Sequence, residues 1–156
     1  MDHRADAIDE FYMREALELA HRAEREGEVP AGAVVVQNSV ITGRGSNAPV
    51  RLNDPTAHAE IVALREAGRV SRNYRLEDAT VYVTMEPCVM CAGALVTARI
   101  KRLVFAVRDL RFGGVRSKFR LADSDVLNHR IAIVENVLAA ECAELLKGFF
   151  ERKRIT

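Results

Sequence analysis

DPTAHAE (residues 54–60) and EPCVMC (residues 86–91) are the two stretches that decide the fold and the chemistry expected of this chain. Zinc binds thiolate sulfur at about 2.3 Å and imidazole nitrogen at about 2.0 Å, in a tetrahedron. Two sulfurs of such a site lie a little under about 4 Å apart, which residues three positions apart on one helical turn can supply. Cys88 and Cys91 have this spacing, and Pro87 suits the first position of a helix. The second stretch therefore predicts a helix whose positive N-terminal end favours two zinc-ligating thiolates.

The first stretch supplies the remaining groups of a zinc site. His58 is the expected third ligand, and three protein ligands leave the fourth position to water, as in a catalytic zinc site. Glu60 is then free to move protons beside that water. Taken alone, a Cys-x-x-Cys pair also fits a redox site or two small buried residues, and His-x-Glu fits a solvated helix start. The two motifs in this order, with Pro87 and a strand between them, favour the metal site.

The composition describes an ordinary globular protein. The chain has 156 residues, 49% of them hydrophobic, and a formal net charge of +1. These values predict one domain, residues 1–156, and argue against a disordered chain. Three cysteines, two of them in the Cys-x-x-Cys pair, argue against a disulfide scaffold and for a reducing compartment. The charged start predicts no signal peptide, and no apolar run is long enough to span a membrane. We therefore expect a cytoplasmic protein without a membrane partner.

Periodicity predicts a helix followed by a hairpin in the first part of the chain. Apolar residues recur at helical spacing between about Asp9 and Gly27. An apolar, β-branched run from Val29 to Val36, a turn at residues 37–39 and a second strand beginning at residues 40–42 predict the hairpin. Residues 43–49 are expected to form a loop, and their glycines are too close together for a dinucleotide-binding fingerprint.

Helices and strands alternate in the rest of the chain. Thr56 is expected to cap the helix that carries His58 and Glu60 and runs to about Gly68. The further predicted elements are a strand at 79–84, the cysteine helix to about residue 99, strands at 102–107 and 131–134, and a helix from about 138 to 153. This order predicts a three-layer α/β/α domain with a five-stranded mixed sheet, parallel after the hairpin. Both helices of the zinc site then start at the same edge of the sheet.

Beyond the zinc motif, the sequence resembles the bacterial tRNA-specific adenosine deaminases of the cytidine deaminase-like superfamily. The zinc motif is shared by the whole superfamily, whereas Ala-Gly-Ala after the cysteines and the Asn-x-Pro element narrow the resemblance. It covers nearly the whole chain. The stretches that carry it are EVPAGAV (28–34), NAP (47–49), DPTAHAE (54–60), YVTMEPCVMCAGA (82–94), NHR (128–130) and ECAELL (141–146).

This resemblance implies hydrolytic deamination of adenosine to inosine at the wobble position of a tRNA anticodon, with one zinc per subunit. Glu60 is implied to take a proton from the activated water and to pass protons to the purine ring and the leaving ammonia. Asn47 matches the asparagine that holds the nucleoside, and Val29, Pro30 and Ala59 match residues that border the base pocket. The implied partners are the tRNA anticodon stem-loop and a second copy of the chain, in a homodimer with helices beside the zinc site at its two-fold axis.

RNA binding requires local positive charge here, because a net charge of +1 supplies no general basic field. The candidates are the segment Arg111–Arg120 and the tail Arg152–Arg154, and Phe149 and Phe150 near the tail are candidates to cover the pocket. RFGGVRS (111–117) also departs from the Lys-x-Gly-Ala-Ala-Gly-Ser loop common in the family. This departure bears on the substrate rather than on the zinc chemistry.

Two alternative functions remain open at this level. A small-molecule deaminase acting on guanine or a related base shares every zinc residue with the tRNA enzymes. The other alternative is a structural zinc module or RNA-binding module without turnover. Its closed zinc site would need a fourth protein ligand for the metal. No further cysteine or histidine stands near these ligands in sequence, and Glu60 has no role in such a module.

Overall fold

The computed structural model describes residues 3–155, with side chains described for residues 6–154. The prediction of no signal peptide rests on the charged start of the chain. Residues 1 and 2 of this start lie outside the described residues. The elements are α1 (His3–Arg25), β1 (Gly32–Gln37), β2 (Val40–Ser46), α2 (Pro49–Leu52), α3 (Ala59–Ser71), β3 (Thr80–Met85), α4 (Val89–Ala98), β4 (Arg102–Val107), β5 (Ala132–Glu135) and α5 (Ala139–Ile155). None of the helices in the described part of the chain is long and apolar enough to cross a membrane.

The five strands form one mixed sheet in the order β2-β1-β3-β4-β5. Strand β1 is antiparallel to both β2 and β3, whereas β3, β4 and β5 are parallel to one another. Strands β2 and β3 consequently run in the same direction, so their carboxyl ends lie at the same edge of the sheet. Helices α3 and α4 follow these two strands in the chain and begin at that edge. The predicted five-stranded mixed sheet is confirmed.

Side chains that alternate along the strands pack into two cores, one on each face of the sheet. Val35, Val83 and Phe105 pack with α3 and α4 on one face. Val34 and Val104 pack with α1 and α5 on the other face. Alternate residues of a strand point to opposite faces, so both faces of these strands are buried between helices. The predicted three-layer α/β/α arrangement is therefore confirmed.

The prediction of a loop over residues 43–49 is wrong at its start, because β2 continues to Ser46. Gly43 and Gly45 lie where helix α3 crosses this strand. A Cβ atom at Gly45 would lie 2.0 Å from the carbonyl oxygen of Ala59, and one at Gly43 would lie 2.1 Å from that of Ala63. The two glycines therefore let the backbone of α3 approach the sheet closely, which fixes the start of the helix that carries Glu60.

We expect Gly45→Ala to destabilise the chain by about 3 kcal/mol, because the added methyl group overlaps a backbone oxygen that cannot rotate away. Urea denaturation gives this difference as a lower midpoint. Gly68→Ala in α3 is the control, because its Cβ atom would lie 3.6 Å from the nearest oxygen, that of Asn73. Alanine is the better helix former, so this variant should be neutral or stabilised by up to about 1 kcal/mol. Equal free energies of unfolding for the two variants would contradict the packing argument.

Several predicted element ends differ from the structure. Helix α1 begins at His3 and ends at Arg25, β1 begins at Gly32 rather than Val29, and α3 ends at Ser71 rather than Gly68. Strands β3 and β5 and helix α5 each begin one residue later than predicted, and the short helix α2 was not predicted. These shifts leave the order of the elements unchanged.

Two predicted helix starts also need correction. Thr56 does not cap α3, since the helix begins at Ala59 and the Thr56 hydroxyl donates to the Asp54 carboxylate at 2.7 Å. Pro87 is not the first residue of α4, since the helix begins at Val89. In both cases the helix begins later because a predicted metal ligand occupies the cap position.

Candidate active site

The three predicted metal ligands lie at the starts of two neighbouring helices. His58 is the N-cap residue of α3 and Cys88 is the N-cap residue of α4, both with extended backbone. Cys91 lies in the first turn of α4 and is fully buried. Helix N-termini carry partial positive charge, which favours thiolates at these positions. The structure thus brings together two stretches that are 30 residues apart in the chain.

The geometry of these side chains fits a zinc ion. The Nδ1 atom of His58 lies 3.5 Å from the sulfur of Cys88 and 3.5 Å from the sulfur of Cys91. Tetrahedral bonds of about 2.0 Å to nitrogen and about 2.3 Å to sulfur require a nitrogen–sulfur distance of about 3.5 Å. All three ligand atoms lie within 4.8 Å of one another. Among the described residues this cluster has three members, so it could hold one zinc and leave a fourth position for water.

The cluster contains a thiolate before any metal binds. Hydrogen bonds from Cys91 and His58 lower the pKa of the Cys88 thiol to about 4. The hydrogen bond that Cys91 gives to this thiolate, together with burial, raises the pKa of Cys91. The pKa of His58 is also raised, first by its hydrogen bond with Cys88. One thiolate is therefore present at neutral pH, and a bound dication favours deprotonation of the second.

Glu60 lies in the first turn of α3, two residues after His58, and is only 5% exposed. Burial raises the pKa of its carboxyl group to about 7. A group with a pKa near the working pH can both accept and release protons, which is what acid–base catalysis requires. The predicted acid–base residue therefore lies beside the predicted metal ligands, and its pKa suits proton transfer.

A cavity of about 810 Å³ opens over this cluster. His58, Glu60 and Cys88 line it together with Val29 and Asn47, two of the residues expected to border the substrate. The side-chain amide of Asn47 donates to the Val29 carbonyl at 3.3 Å, which fixes the orientation of the amide. Pro30 and Ala59, the other two residues expected there, are buried and do not line the cavity. The structure thus brings Val29 and Asn47 to the wall of the cavity but not Pro30 or Ala59.

Glu86 is a functional candidate that the sequence analysis missed. It is 3% exposed, and its carboxylate holds the loop of residues 109–117, which we call the Glu86 loop. The groups that donate to this carboxylate are the backbone N–H groups of Asp109, Val115, Arg116 and Ser117 and the hydroxyl of Ser117. Burial raises the pKa of Glu86, but these hydrogen bonds outweigh it and the net pKa is lowered. A charged carboxylate next to the cysteine stretch therefore organises one wall of the cavity.

Two glycines fit the Glu86 loop against the cysteine stretch. A Cβ atom at Gly113 would lie 2.3 Å from the Glu86 carboxylate, and one at Gly114 would lie 2.9 Å from the backbone nitrogen of Val89. The Gly114 N–H donates to the Pro87 carbonyl at 2.8 Å. The loop backbone therefore packs directly on the start of α4. The sequence gives Glu86 no role of its own, because nothing in the sequence pattern marks donors more than twenty residues away.

Only some of the residues predicted to contact RNA face the cavity. Three of the basic residues among them line it, namely Arg111, Lys153 and Arg154, which we call the cationic rim. Arg116 instead binds the Asp123 carboxylate with distances of 3.0 and 2.9 Å, and Arg152 pairs with Glu24. Phe150 lines the cavity, whereas Phe149 is 7% exposed and packs behind it. The basic candidates that lie at the cavity are thus the three residues of the cationic rim.

Comparison with known proteins gives consistent matches over most of the chain. Residues 6–107 match the family described as the cytidine and deoxycytidylate deaminase zinc-binding region. The chain is 49% identical to the tRNA-specific adenosine deaminase of Haemophilus influenzae over 94% of its own length and 86% of that protein. It is 45% identical to the tRNA-specific adenosine deaminase of Buchnera aphidicola subsp. Schizaphis graminum over 94% of this chain and 96% of that one. The predicted zinc dependence is confirmed by the family match.

Solved structures give the same picture of the fold. One from a study of A-to-I editing by tRNA:A34 deaminases at the wobble position has a TM-score of 0.84 and 39% identity, covering 87% of this chain and 99% of that one. A guanine deaminase from Bacillus subtilis has a TM-score of 0.60 and 37% identity, covering 69% of this chain and 66% of that one. The predicted fold class is therefore shared with both structures, and the first is similar over more of the chain.

Proposed function

The chain belongs to the cytidine and deoxycytidylate deaminase zinc-binding family, and two relatives that are 49% and 45% identical to it are tRNA-specific adenosine deaminases. From this premise we propose that it converts the wobble adenosine of a tRNA anticodon to inosine by hydrolysis. The observation that carries the proposal is the 49% identity to the Haemophilus influenzae enzyme across 94% of this chain. The chain is a zinc-dependent hydrolase, and its cavity of about 810 Å³ lies within the range of about 300–1,000 Å³ that is typical of ligand sites.

We propose His58, Cys88 and Cys91 as the ligands of one zinc per subunit. Their spacing, with 3.5 Å between the imidazole nitrogen and each sulfur, supports this assignment. Zinc held by these residues would lower the pKa of a water molecule towards about 7 and would so make hydroxide available at neutral pH.

Glu60 moves the protons of the reaction in this proposal. Its carboxylate accepts a proton from the attacking water and delivers it to N1 of the purine while C6 gains the oxygen. Glu60 then takes the remaining proton from the new hydroxyl group on C6 and gives it to the amino group. The bond between C6 and this nitrogen breaks, so that adenosine and water give inosine and ammonia. The buried position of Glu60 beside His58 and its raised pKa support this role, because a buried group near its pKa transfers protons in either direction.

Asn47 and Val29 are proposed to position the nucleoside. Both line the cavity with Glu60, and the hydrogen bond between them fixes the Asn47 amide. Pro30 and Ala59 are proposed to support this position from the core, since each is buried and adjoins a lining residue in sequence. Anticodon loops suit such a site, because their bases can be turned out of the stack at low energetic cost.

The cationic rim is proposed to bind the RNA backbone. We expect Arg111→Gln combined with Arg154→Gln to weaken binding of an anticodon stem-loop and to flatten its salt dependence. Each phosphate contact that is lost should reduce the slope of log K against log salt by about 0.7 to 0.9. Filter binding at several salt concentrations measures both effects.

The control for the cationic rim is the pair Arg25→Gln and Arg69→Gln. Both arginines are exposed and neither lines the cavity, so the net charge changes equally without loss of a rim contact. The salt slope of this control should match that of the wild type. Equal losses in the two double variants would show that only net charge matters and would contradict a local RNA surface.

We propose that the chain acts as a homodimer, with helices near the zinc site at the two-fold interface. Exposed apolar side chains near this site support the proposal, since Val50 and Leu52 in α2 are 74% and 51% exposed and Val89 in α4 is 46% exposed. Light scattering should give twice the 17.3 kDa of one chain at micromolar concentration. Introducing charge through Val50→Glu should shift the mass towards one chain, and a wild-type mass of one chain would contradict the dimer.

We propose that residues 1–156 form one deaminase domain. The matched family region ends at residue 107, and support for including the remainder comes from α5, whose Cys142 is buried in the same core as Met13 of α1. A cytoplasmic location stays a prediction from the sequence.

Guanine deamination is the second candidate, because the Bacillus subtilis guanine deaminase shares 37% identity with this chain. The deciding experiment incubates the zinc-loaded protein with an anticodon stem-loop bearing a wobble adenosine, with free guanine and free cytidine in parallel. We expect inosine in the RNA and no turnover of either small molecule. Rapid turnover of guanine without inosine formation would favour the second candidate.

A further inference from the structure

Two phenylalanine rings remain exposed at the cavity that contains the zinc ligands. Phe112 in the Glu86 loop is 66% exposed and Phe150 in α5 is 44% exposed, and both line this cavity. Large apolar side chains are usually buried, so exposed rings beside a cavity indicate a binding surface. The cationic rim lines the same cavity. Aromatic rings next to cations are the combination with which proteins bind single-stranded nucleic acids.

Phe112 is presented by a backbone that is ordered before any ligand binds. The N–H groups of Arg111 and Phe112 donate to the Asp109 carboxylate at 3.1 and 3.3 Å, and the Gly113 N–H donates to the Asp109 carbonyl at 2.9 Å. The hydrogen bonds to Glu86 hold the loop on both sides of this turn. Because the turn is already fixed, a ring stacked on Phe112 requires little further ordering of the protein.

The cavity also has room for more than the reacting base. Its volume of about 810 Å³ lies near the upper end of the range of about 300–1,000 Å³ that accommodates drug-sized ligands. Glu60 is 5% exposed and thus lies deep, whereas Phe112 is at the solvent-exposed side. The two residues line the same cavity, so a nucleotide whose base reaches Glu60 has its neighbours on the exposed side, where Phe112 lies.

We propose that Phe112 stacks on the unpaired base of a nucleotide that flanks the target adenosine, and so forms a second base-binding position in the site. This inference rests on the proposed function. Stacking on an aromatic ring does not read the identity of the base, so this position adds affinity for single-stranded RNA rather than sequence preference. The loop sequence RFGGVRS places the aromatic residue at this position in this chain.

The test compares Phe112→Ala with Phe112→Tyr on stem-loops that carry a wobble adenosine. We expect the KM of Phe112→Ala to rise about 10-fold, while kcat at saturating RNA stays within about twofold, because the ring contacts a neighbour of the reacting base. Phe112→Tyr keeps the ring and should retain the wild-type KM. Phe119→Ala is the matched control, since Phe119 is 56% exposed in the same region but does not line the cavity.

Substrates with an abasic nucleotide on one side of the target identify the stacked base. For the wild type, one of the two abasic stem-loops should lose about 10-fold in kcat/KM. Phe112→Ala should lose nothing further on that substrate, because the partner of the ring is already absent. Two results would overturn this inference without affecting the proposed function. One is an unchanged KM of Phe112→Ala on the intact stem-loop, and the other is an equal loss of kcat/KM on both abasic substrates. Absence of inosine with the wild type would overturn the proposed function as well.

Discussion

Glu60→Gln should leave one zinc per chain and an intact fold, while deamination falls by at least about 10²- to 10⁴-fold. Glutamine has nearly the shape of glutamate, and the residue is not one of the proposed ligands, so metal binding is unaffected. Its amide cannot accept a proton from water or deliver one to the purine, and every proton transfer of the proposed mechanism is lost together. Burial of a neutral amide in place of a carboxylate that is only 5% exposed should not lower stability.

Single-turnover formation of inosine, with zinc content measured on the same samples, tests this expectation. Glu18→Gln is the control, because Glu18 is exposed on α1 and does not line the cavity. That variant should react at the wild-type rate. A Glu60→Gln enzyme with a rate within about tenfold of the wild type would rule out the proposed proton transfers.

Cys88→Ser should lose zinc, lose activity and unfold at a lower temperature. The serine hydroxyl does not ionise near neutral pH, so the site loses the thiolate that is present before metal binding. Zinc binding at protein sites can contribute on the order of 10 kcal/mol to folding, and the loss of even part of this free energy lowers the melting temperature by many degrees. Removal of zinc from the wild type with a chelator should give a similar melting temperature.

Cys142→Ala separates loss of metal from loss of stability. Cys142 is 1% exposed, and burial raises the pKa of its thiol to about 12, so it is a neutral core residue. Its replacement should lower the melting temperature moderately through lost packing and keep one zinc per chain. Full zinc content in Cys88→Ser would refute the ligand assignment whatever the melting temperatures.

The three candidate metal ligands could be picked out because their signal is local in the sequence. The spacing of Cys88 and Cys91 is set by one helical turn, and the separation from His58 needs only a strand and a helix between them. The helix starts were misplaced because Thr56 and Pro87 have the stronger intrinsic preferences for those positions. The ligands themselves occupy the cap positions instead, a preference that comes from the site and not from helix propensity.

What could not be predicted depends on contacts between distant parts of the chain. Gly43 and Gly45 disfavour a strand locally, and only the close approach of α3 explains why they belong to one. The partners of Glu86 are backbone N–H groups, which carry no sequence signal. The sequence likewise could not show that Arg116 pairs with Asp123 instead of being available to RNA.

Because Glu86 holds its loop through backbone groups, two sets of positions in this loop differ in the substitutions they tolerate. Glu86 binds backbone groups, so the path of the loop depends little on the outward side chains at Leu110, Arg111 and Phe112. Gly113 and Gly114 leave no room for a side chain. Substitutions can therefore accumulate at the first three positions and alter the substrates accepted, while the neighbouring cysteines keep their geometry. We expect libraries randomised at 110–112 to yield folded, zinc-loaded variants of differing RNA preference, and libraries at 113–114 to yield few.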